Sequence, residues 1–363
     1  MIKYRTLAPP FRIGVMQLTM EPLEEILEHA RALDEHGFDT IWLAEAYPWW
    51  RKHSMEARSS TALSPLIARE TKNLTVGWGI ISPYARHPIQ VAMEARVTQE
   101  ATGGGRFRLG FGASKIFMKE IGQGENGKPA RPLTAVKESV QIVRAVLEGG
   151  ELDFTGKEFT AKVPALKPDA DTPREPVPLY VAGTGPKMQV MAGELADGLL
   201  TPSITTPAFV RYSRGNLAKG AEKAGRNAED IDLGCTIVAS IDADRAKGRE
   251  GAREIAGMYL ANKVQNIQGS ADTLLDLAEL TQDEIVPIAE AMESGGRLAA
   301  AAAVTDEILD KTKPIAGTPE DCIAAMQEYR DAGCTHVMLE LWGEDRARQI
   351  EMFGSEVLPH FRT

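Results

Sequence analysis

The stretch that decides the fold is Leu74–Ser114, which reads LTVGWGIISPYARHPIQVAMEARVTQEATGGGRFRLGFGAS. Its apolar start predicts a buried strand that is interrupted by glycines. Pro88 then opens a helix at a position where the missing N–H leaves no donor unsatisfied, and a run of glycines ends that helix. From Phe107 onward, apolar residues alternate with charged or small ones, which predicts a second strand. Both strands end in small or kinked residues, so the unit favours a site where a flat ligand approaches the backbone.

The same alternation of strands and helices continues along most of the chain. Repeated βα units imply a parallel sheet with right-handed crossovers. About eight strands are predicted, which favours an α/β fold of the closed (β/α)8 TIM-barrel type over an open doubly wound sheet. The predicted strands are Phe11–Leu18, Asp39–Ala44, Leu74–Ile81, Phe107–Phe111, Val177–Ala182, Gly198–Thr201, Leu233–Ser240 and His336–Leu341.

One region departs from this pattern. Residues 242–313 contain no convincing strand but many helix formers, including LAAAAAV at Leu298–Val304. We therefore predict a single barrel domain over residues 1–363, with a helical insertion at about 242–313 before the last strand. A separate small helical domain is the alternative, and it is disfavoured because barrel signals resume beyond the insertion.

Composition and charge restrict the class of partner. The net charge is −10 and 43% of residues are hydrophobic, which argues against nucleic acid or an anionic membrane and leaves a small organic molecule as the expected partner. No apolar run approaches the ~18 residues of a membrane span, and the N-terminus lacks a signal-peptide core. Cys235, Cys322 and Cys334 are an odd number without metal-ligand spacing, so we expect reduced thiols in a cytoplasmic protein and no metal site.

In a barrel of this type, ligands bind at the carboxyl ends of the strands. Glu45 follows the second strand and precedes Trp49, Trp50 and a short basic run. An acidic residue before aromatics at a barrel mouth is a candidate for contact with a heterocyclic ligand. The alternative is that Glu45 pairs with a structural arginine while the aromatics cap the core.

The third and fourth strands also end in unusual residues. Gly79 next to Ile80 suggests a backbone kink against a flat group, or ordinary strand curvature. Ala113 and Ser114 leave backbone N–H groups accessible, and Lys115 adds a cation beside an anionic or electron-rich ligand. A solvated lysine in a tight turn is the alternative interpretation.

A further loop has features that phosphate recognition requires. Gly183, Thr184 and Gly185 precede a helix, where backbone donors and the helix dipole favour an anion. Thr201, at the end of the next strand, can add a hydroxyl. The loop matches neither a P-loop nor a dinucleotide-binding fingerprint, so nucleotide hydrolysis and nicotinamide binding are not supported.

Taken in order, these segments resemble the bacterial luciferase-like superfamily, and within it the coenzyme F420-dependent reductases. The resemblance covers nearly the full length, with features of methylenetetrahydromethanopterin reductases and of F420-dependent glucose-6-phosphate dehydrogenases. Its markers are GFDTIWLAE at Gly37–Glu45, GWGIISPYARHP, GGGRFRLGFGAS, PLYVAGTGPKMQVMAGELADG at Pro178–Gly198 and AGTPEDCIAAMQEYRDAGCTHVML at Ala316–Leu339.

The resemblance implies a TIM barrel that dimerises through barrel helices and has a non-prolyl cis peptide at Gly79–Ile80. It implies cofactor contacts at the residues singled out above. From their place at the barrel mouth, Glu45, Trp50 and Lys115 are the candidate catalytic residues. The chain departs from the sugar-phosphate dehydrogenases at two positions, since Ala46 replaces a histidine and Lys115 replaces a carboxylate. Oxidation of glucose 6-phosphate is therefore not expected. The implied cofactor contacts are Glu45, Gly79, Ile80, Ala113, Ser114, Gly183, Thr184, Gly185 and Thr201.

The resemblance thus implies an oxidoreductase that moves a hydride between C5 of the deazaflavin F420 and a carbon of a small organic substrate. An FMN-dependent monooxygenase of the same fold is the first alternative. A non-catalytic protein that binds a flavin or another small ligand is the alternative of a different class.

Overall fold

The computed structural model describes residues 11–45, 56–113, 118, 121–122, 130–166, 175–264, 271–342 and 345–362. Eight parallel strands within these ranges close into a barrel, which confirms the predicted fold class. Going round the barrel, the order is β1, β2, β3, β4, β7, β8, β9, β11 and back to β1. Their bounds are β1 Arg12–Leu18, β2 Thr40–Ala44, β3 Thr75–Ile81, β4 Phe107–Phe111, β7 Leu179–Ala182, β8 Gly198–Thr201, β9 Asp232–Ile241 and β11 His336–Leu341.

Helices connect the strands on the outside of the barrel. Several begin with proline at the first turn, where the missing N–H costs nothing, and Thr318 adds a reciprocal cap with Asp321 at the start of one of them. The helices are α1 Leu23–Glu35, α2 Ser60–Glu70, α3 Pro88–Ala101, α4 Pro132–Glu148, α5 Pro186–Leu195, α6 Pro207–Lys223, α7 Arg245–Val264, α8 Ala271–Leu277, α9 Gln282–Ala303, α10 Asp306–Thr312, α11 Pro319–Asp331 and α12 Arg346–Met352.

Two large aromatic side chains lie inside the barrel. Trp42 and Tyr180 are fully buried and meet edge to face, with ring centroids 5.0 Å apart. Glycines on the neighbouring strands make room for them: a Cβ on Gly77 would lie 2.4 Å from the indole, and a Cβ on Gly198 would lie 2.2 Å from the phenol ring. The glycines that interrupt these strands in the sequence are therefore required by packing.

A buried ionic network closes the amino-terminal end of the barrel. Tyr180 donates a hydrogen bond to Asp232 Oδ2 at 2.7 Å, and Nδ1 of His336 lies 3.3 Å from the same oxygen. Burial alone would raise the pKa of Asp232, but His336 and the guanidinium groups of Arg108 and Arg12 hold that pKa well below its usual range. The network ties together strands that are far apart in sequence.

The region between β9 and β11 is helical, with α7 to α10 followed by the three-residue strand β10, Ile315–Gly317. These helices enclose an apolar cluster, which we call the insertion cluster, and Ile204, Phe209 and Val238 are its only buried members from outside residues 242–313 of the described chain. β10 pairs with the last residues of β9. An antiparallel hairpin, β5 Leu152–Thr155 and β6 Thr160–Val163, lies outside the barrel sheet. Neither β10 nor this hairpin was predicted.

Candidate active site at the barrel mouth

The floor of the barrel mouth is apolar. Met16, Leu200 and Met338 form one buried cluster with Trp42 and Tyr180. Three partly buried side chains pack against this cluster from the carboxyl ends of their strands: Ala44, Ile80 and Ala182. Such a surface suits one face of a flat, apolar ring.

The peptide bond between Gly79 and Ile80 is cis, as the resemblance implied. At this point the pairing of β3 with β4 shifts register, between Trp78 and Ile81. A Cβ on Gly112 would lie 3.0 Å from Cγ1 of Ile80, so the small residues after β4 provide the space in which the Ile80 side chain lies.

Glu45 is held in place by an ion pair. Nη2 of Arg86 lies 3.1 Å from Oε1 of Glu45, and the amide of Ser60 donates to the other oxygen at 3.3 Å. Arg86 also reaches Glu94 at 3.4 Å. The carboxylate thus joins the end of β2 to the start of α2 and to the loop after β3. This is the structural pairing that the sequence left open as the alternative for Glu45.

The loop before α5 has unpaired backbone donors. Within the described residues, the amides of Thr184 and Gly185 have no hydrogen-bond partner, whereas the amide of Gly183 donates to the Leu200 carbonyl at 3.2 Å. A Cβ placed on Gly185 would meet nothing within 4 Å, so the space beside the loop is open. No side chain caps the helix that follows. These features match the requirements of a bound phosphate.

The other predicted contacts differ in their positions. Thr201 donates to the Gly234 carbonyl at 3.5 Å and accepts from Thr205 at 2.8 Å, so its hydroxyl is already engaged. Ala113 is partly buried and packs against the main core. Trp50, Ser114 and Lys115 lie outside the described residues.

A buried carboxyl that the sequence analysis missed lies on the β11 side of the mouth. Ser203 Oγ donates to Oε2 of Glu340 at 2.7 Å, and the hydroxyl of Tyr259, on α7, donates to Oε1. Burial raises the pKa of Glu340 to about 7, and burial also lowers the pKa of nearby Lys263 to about 8. Glu340 is the single acidic residue of the strand HVMLEL, which was the available signal.

Comparison with known proteins shows the family to which this chain belongs. Residues 6–336 match the family described as luciferase-like monooxygenase. The chain belongs to the luciferase-like monooxygenase family. The chain is an enzyme of this family. The resemblance inferred from the sequence markers is confirmed.

Similar proteins cover nearly the whole chain. A 5,10-methylenetetrahydromethanopterin reductase of Archaeoglobus fulgidus is 28% identical over 93% of this chain and 96% of its own length. An F420-dependent glucose-6-phosphate dehydrogenase of Amycolatopsis mediterranei is 26% identical over 93% of this chain and 94% of its own length. The solved structure of a coenzyme F420-dependent tetrahydromethanopterin reductase from Methanopyrus kandleri superposes with a TM-score of 0.84 and 26% identity, covering 97% of this chain and 99% of that one.

Proposed function

We propose that this enzyme is an F420-dependent oxidoreductase that moves a hydride between C5 of the deazaflavin and a carbon of a small organic substrate. The observation that carries the proposal is the combination of an apolar floor with unpaired amides at Thr184 and Gly185. The apolar floor suits the flat ring of the cofactor, and the unpaired amides suit the phosphate of the same cofactor. The F420-dependent relatives support the choice of this cofactor.

The residues present fit this cofactor. Ile80 and Ala182 offer a surface for one face of the ring, and Ala113 lies at the neighbouring strand end. The loop Gly183–Gly185 would hold the phosphate through its amides. When bound, F420 supplies the hydride chemistry at its C5 atom. The protein's part is to fix the ring over the apolar floor and to exclude water from one of its faces.

The ion-paired Glu45 fits a structural and electrostatic role better than an acid–base role. Arg86 neutralises its charge, and Ser60 fixes its orientation. We therefore propose that Glu45 shapes the cofactor side of the mouth. Trp50, Ser114 and Lys115 stay candidate contacts from the sequence alone. Thr201, at the end of the strand beside β7, stays a candidate for a hydroxyl contact with the phosphate.

The proposal is tested by titrating the purified protein separately with F420 and with FMN, following cofactor fluorescence. Substrate-dependent oxidation of reduced F420 is then recorded under anaerobic conditions, with an organic substrate added as the hydride acceptor. We expect F420 to bind and FMN to bind far more weakly. Binding of FMN with oxygen consumption, and no binding of F420, would instead establish the monooxygenase. Binding of a cofactor that no organic substrate of any class oxidises or reduces would indicate a non-catalytic binding protein.

We further propose that the enzyme is a cytoplasmic homodimer with one barrel domain and an insertion at about 242–313. The three cysteines are buried and unbridged, as suits a reducing compartment. None of the described helices is both long enough and apolar enough to span a bilayer. For the dimer, the support is the apolar surface of α2 and α3, where Leu66, Met93 and Val97 are exposed.

A further inference from the structure

The mouth contains one buried acid whose function the proposed hydride transfer does not yet explain. Glu340 has no solvent exposure, and both of its carboxyl oxygens accept hydrogen bonds, from Ser203 and from Tyr259. It lies two residues along β11 from Met338, which belongs to the floor cluster. A buried carboxyl is costly unless it is hydrogen-bonded, and one with a shifted pKa in a cleft is a candidate functional group.

The charged and titratable surroundings of Glu340 are few. Tyr259 and Lys263, both on α7, are the titratable groups that affect it among the described residues. Its partner on β9 is Val238, and the inward side chain of β1 at this level is Met16, so neither strand brings a charge. Burial keeps the carboxyl protonated up to about pH 7, since its pKa is raised to about 7. Both protonation states are therefore available near neutral pH.

Tyr259 is the member of this group that can meet a ligand. Its side chain is only partly buried, and it belongs to the helix that begins the insertion. Burial raises the pKa of the Tyr259 phenol well above its ordinary value, so the phenol keeps its proton at neutral pH. A neutral phenol that is hydrogen-bonded to a carboxyl can pass a proton outward and be reprotonated from behind.

Resting on the proposed function, we infer that Tyr259 and Glu340 form a proton relay for a substrate whose reacting carbon is double-bonded to oxygen or nitrogen. In the reducing direction, the substrate carbon accepts a hydride from reduced F420 and forms a new C–H bond. The electron pair of the double bond moves to the heteroatom. The Tyr259 hydroxyl turns from Glu340 toward this heteroatom and gives up its proton to it. The Tyr259 oxygen then takes the proton of Glu340, which is left as a carboxylate. The substrate is reduced, F420 is oxidised, and Ser203 acts as a positioning residue for Glu340.

The first test needs neither cofactor nor substrate. Protein labelled with carbon-13 at the glutamate carboxyl is titrated by NMR, and the Glu340 signal is assigned by its absence in Glu340→Gln. We expect a midpoint near pH 7, as burial implies. Tyr259→Phe should move the midpoint upward because it removes a hydrogen bond to the charged form. A midpoint in the ordinary carboxyl range, or no change in Tyr259→Phe, would overturn the relay.

The second test measures oxidation of reduced F420 by cyclohexanone and by pyrroline in anaerobic stopped flow. Glu340→Gln and Tyr259→Phe should lower the rate at least 100-fold while the Kd for F420 changes less than twofold. Glu290→Gln, an exposed carboxyl on α9, and Tyr212→Phe, a tyrosine packed beside the insertion cluster, serve as matched controls at wild-type rates.

The outcomes separate the two proposals. Bound F420 with wild-type rates in both relay variants removes the relay alone, and bound F420 with no reaction of either probe overturns the substrate class. Absence of F420 binding to the wild-type protein removes the proposed function and the relay together.

Discussion

At the scale of single residues, the glycines perform two distinct tasks. Gly77 and Gly198 are required because a side chain would collide with Trp42 or Tyr180. Gly185 has open space beside it, so packing does not require a glycine there. We therefore propose that the glycine leaves room for a ligand that approaches the backbone at this point.

Gly185→Val tests this argument directly. The added side chain would occupy the open space beside the unpaired amides and should weaken F420 binding tenfold or more, about 1.4 kcal/mol. Fluorescence titration measures the affinity, and circular dichroism checks the fold. Gly215→Val, on the exposed face of α6 and also with open space around its Cβ, is the matched control. Equal affinity in wild type and Gly185→Val would exclude this loop from the cofactor site.

Site residues were predicted unevenly from the sequence. The cis bond at Gly79–Ile80 was implied by the resemblance alone, whereas the open loop at Gly183–Gly185 follows from its pattern of glycines before a helix. The pairing of Glu45 with Arg86 joins residues 41 positions apart, which no local pattern reveals. Glu340 was missed because the strand HVMLEL resembles an ordinary buried strand. Only the alternation of side chains along the strand shows that Glu340 shares a face with Met338.

At the scale of elements, the fully buried strands of the barrel were predicted well because burial dictates their sequence. Gly198–Thr201 and His336–Leu341 have the predicted bounds. The hairpin β5–β6 was missed because its strands are half exposed, so no apolar run marks them. β10 spans only three residues and owes its pairing to the end of β9.

The contact between α1 and α12 predicts a pH dependence of stability. Nδ1 of His29 lies 3.3 Å from Nη1 of Arg346. Burial, and to a lesser extent the charge of Arg346, lowers the pKa of His29 to about 4. Between pH 6.5 and about 4 the unfolded chain therefore binds a proton that the folded chain does not. Stability should fall as the pH drops through this window, by on the order of 2 kcal/mol.

Urea unfolding at a series of pH values measures this effect. In His29→Gln the decline between pH 6.5 and 4 should become shallower, whereas His360→Gln, at an exposed histidine, should follow the wild type. Parallel curves for wild type and His29→Gln would refute the assignment.

At the scale of the whole molecule, closure of the barrel depends on the ionic network around Asp232. That carboxylate receives hydrogen bonds from Tyr180 of β7 and Thr335 before β11, and it faces His336 of β11. Arg12 of β1 lies 3.6 Å away. A single buried charge thus connects strands from both halves of the sequence.

Asp232→Asn should destabilise the protein by about 3–5 kcal/mol, because it leaves buried arginine charges without their counter-ion. Guanidinium unfolding monitored by fluorescence measures the change. Asp276→Asn, at an exposed position of α8, should change the free energy of unfolding by less than about 0.5 kcal/mol. A loss below about 1 kcal/mol in Asp232→Asn would contradict a structural role for the network.

The proposed dimer is also a property of the whole molecule. Met93 and Val97 are 60% and 56% exposed on α3, next to the exposed Leu66 of α2. Met93→Lys should introduce a charge into the apolar surface and shift the protein from dimer to monomer. Light scattering after size-exclusion chromatography measures the mass. A monomeric wild type would refute the dimer, and Leu298→Lys, at an exposed leucine of α9, is the control.

The insertion cluster has a consequence for how such an enzyme changes over time. Its buried side chains come almost entirely from α7 to α10, and the barrel has its own larger core. Replacements inside the insertion therefore leave the strands that would hold the cofactor intact, while they move Tyr259 and its neighbours. The proposed cofactor site and the determinants of substrate specificity can therefore evolve separately. A descendant of this enzyme can acquire a new substrate without substitutions at the cofactor site.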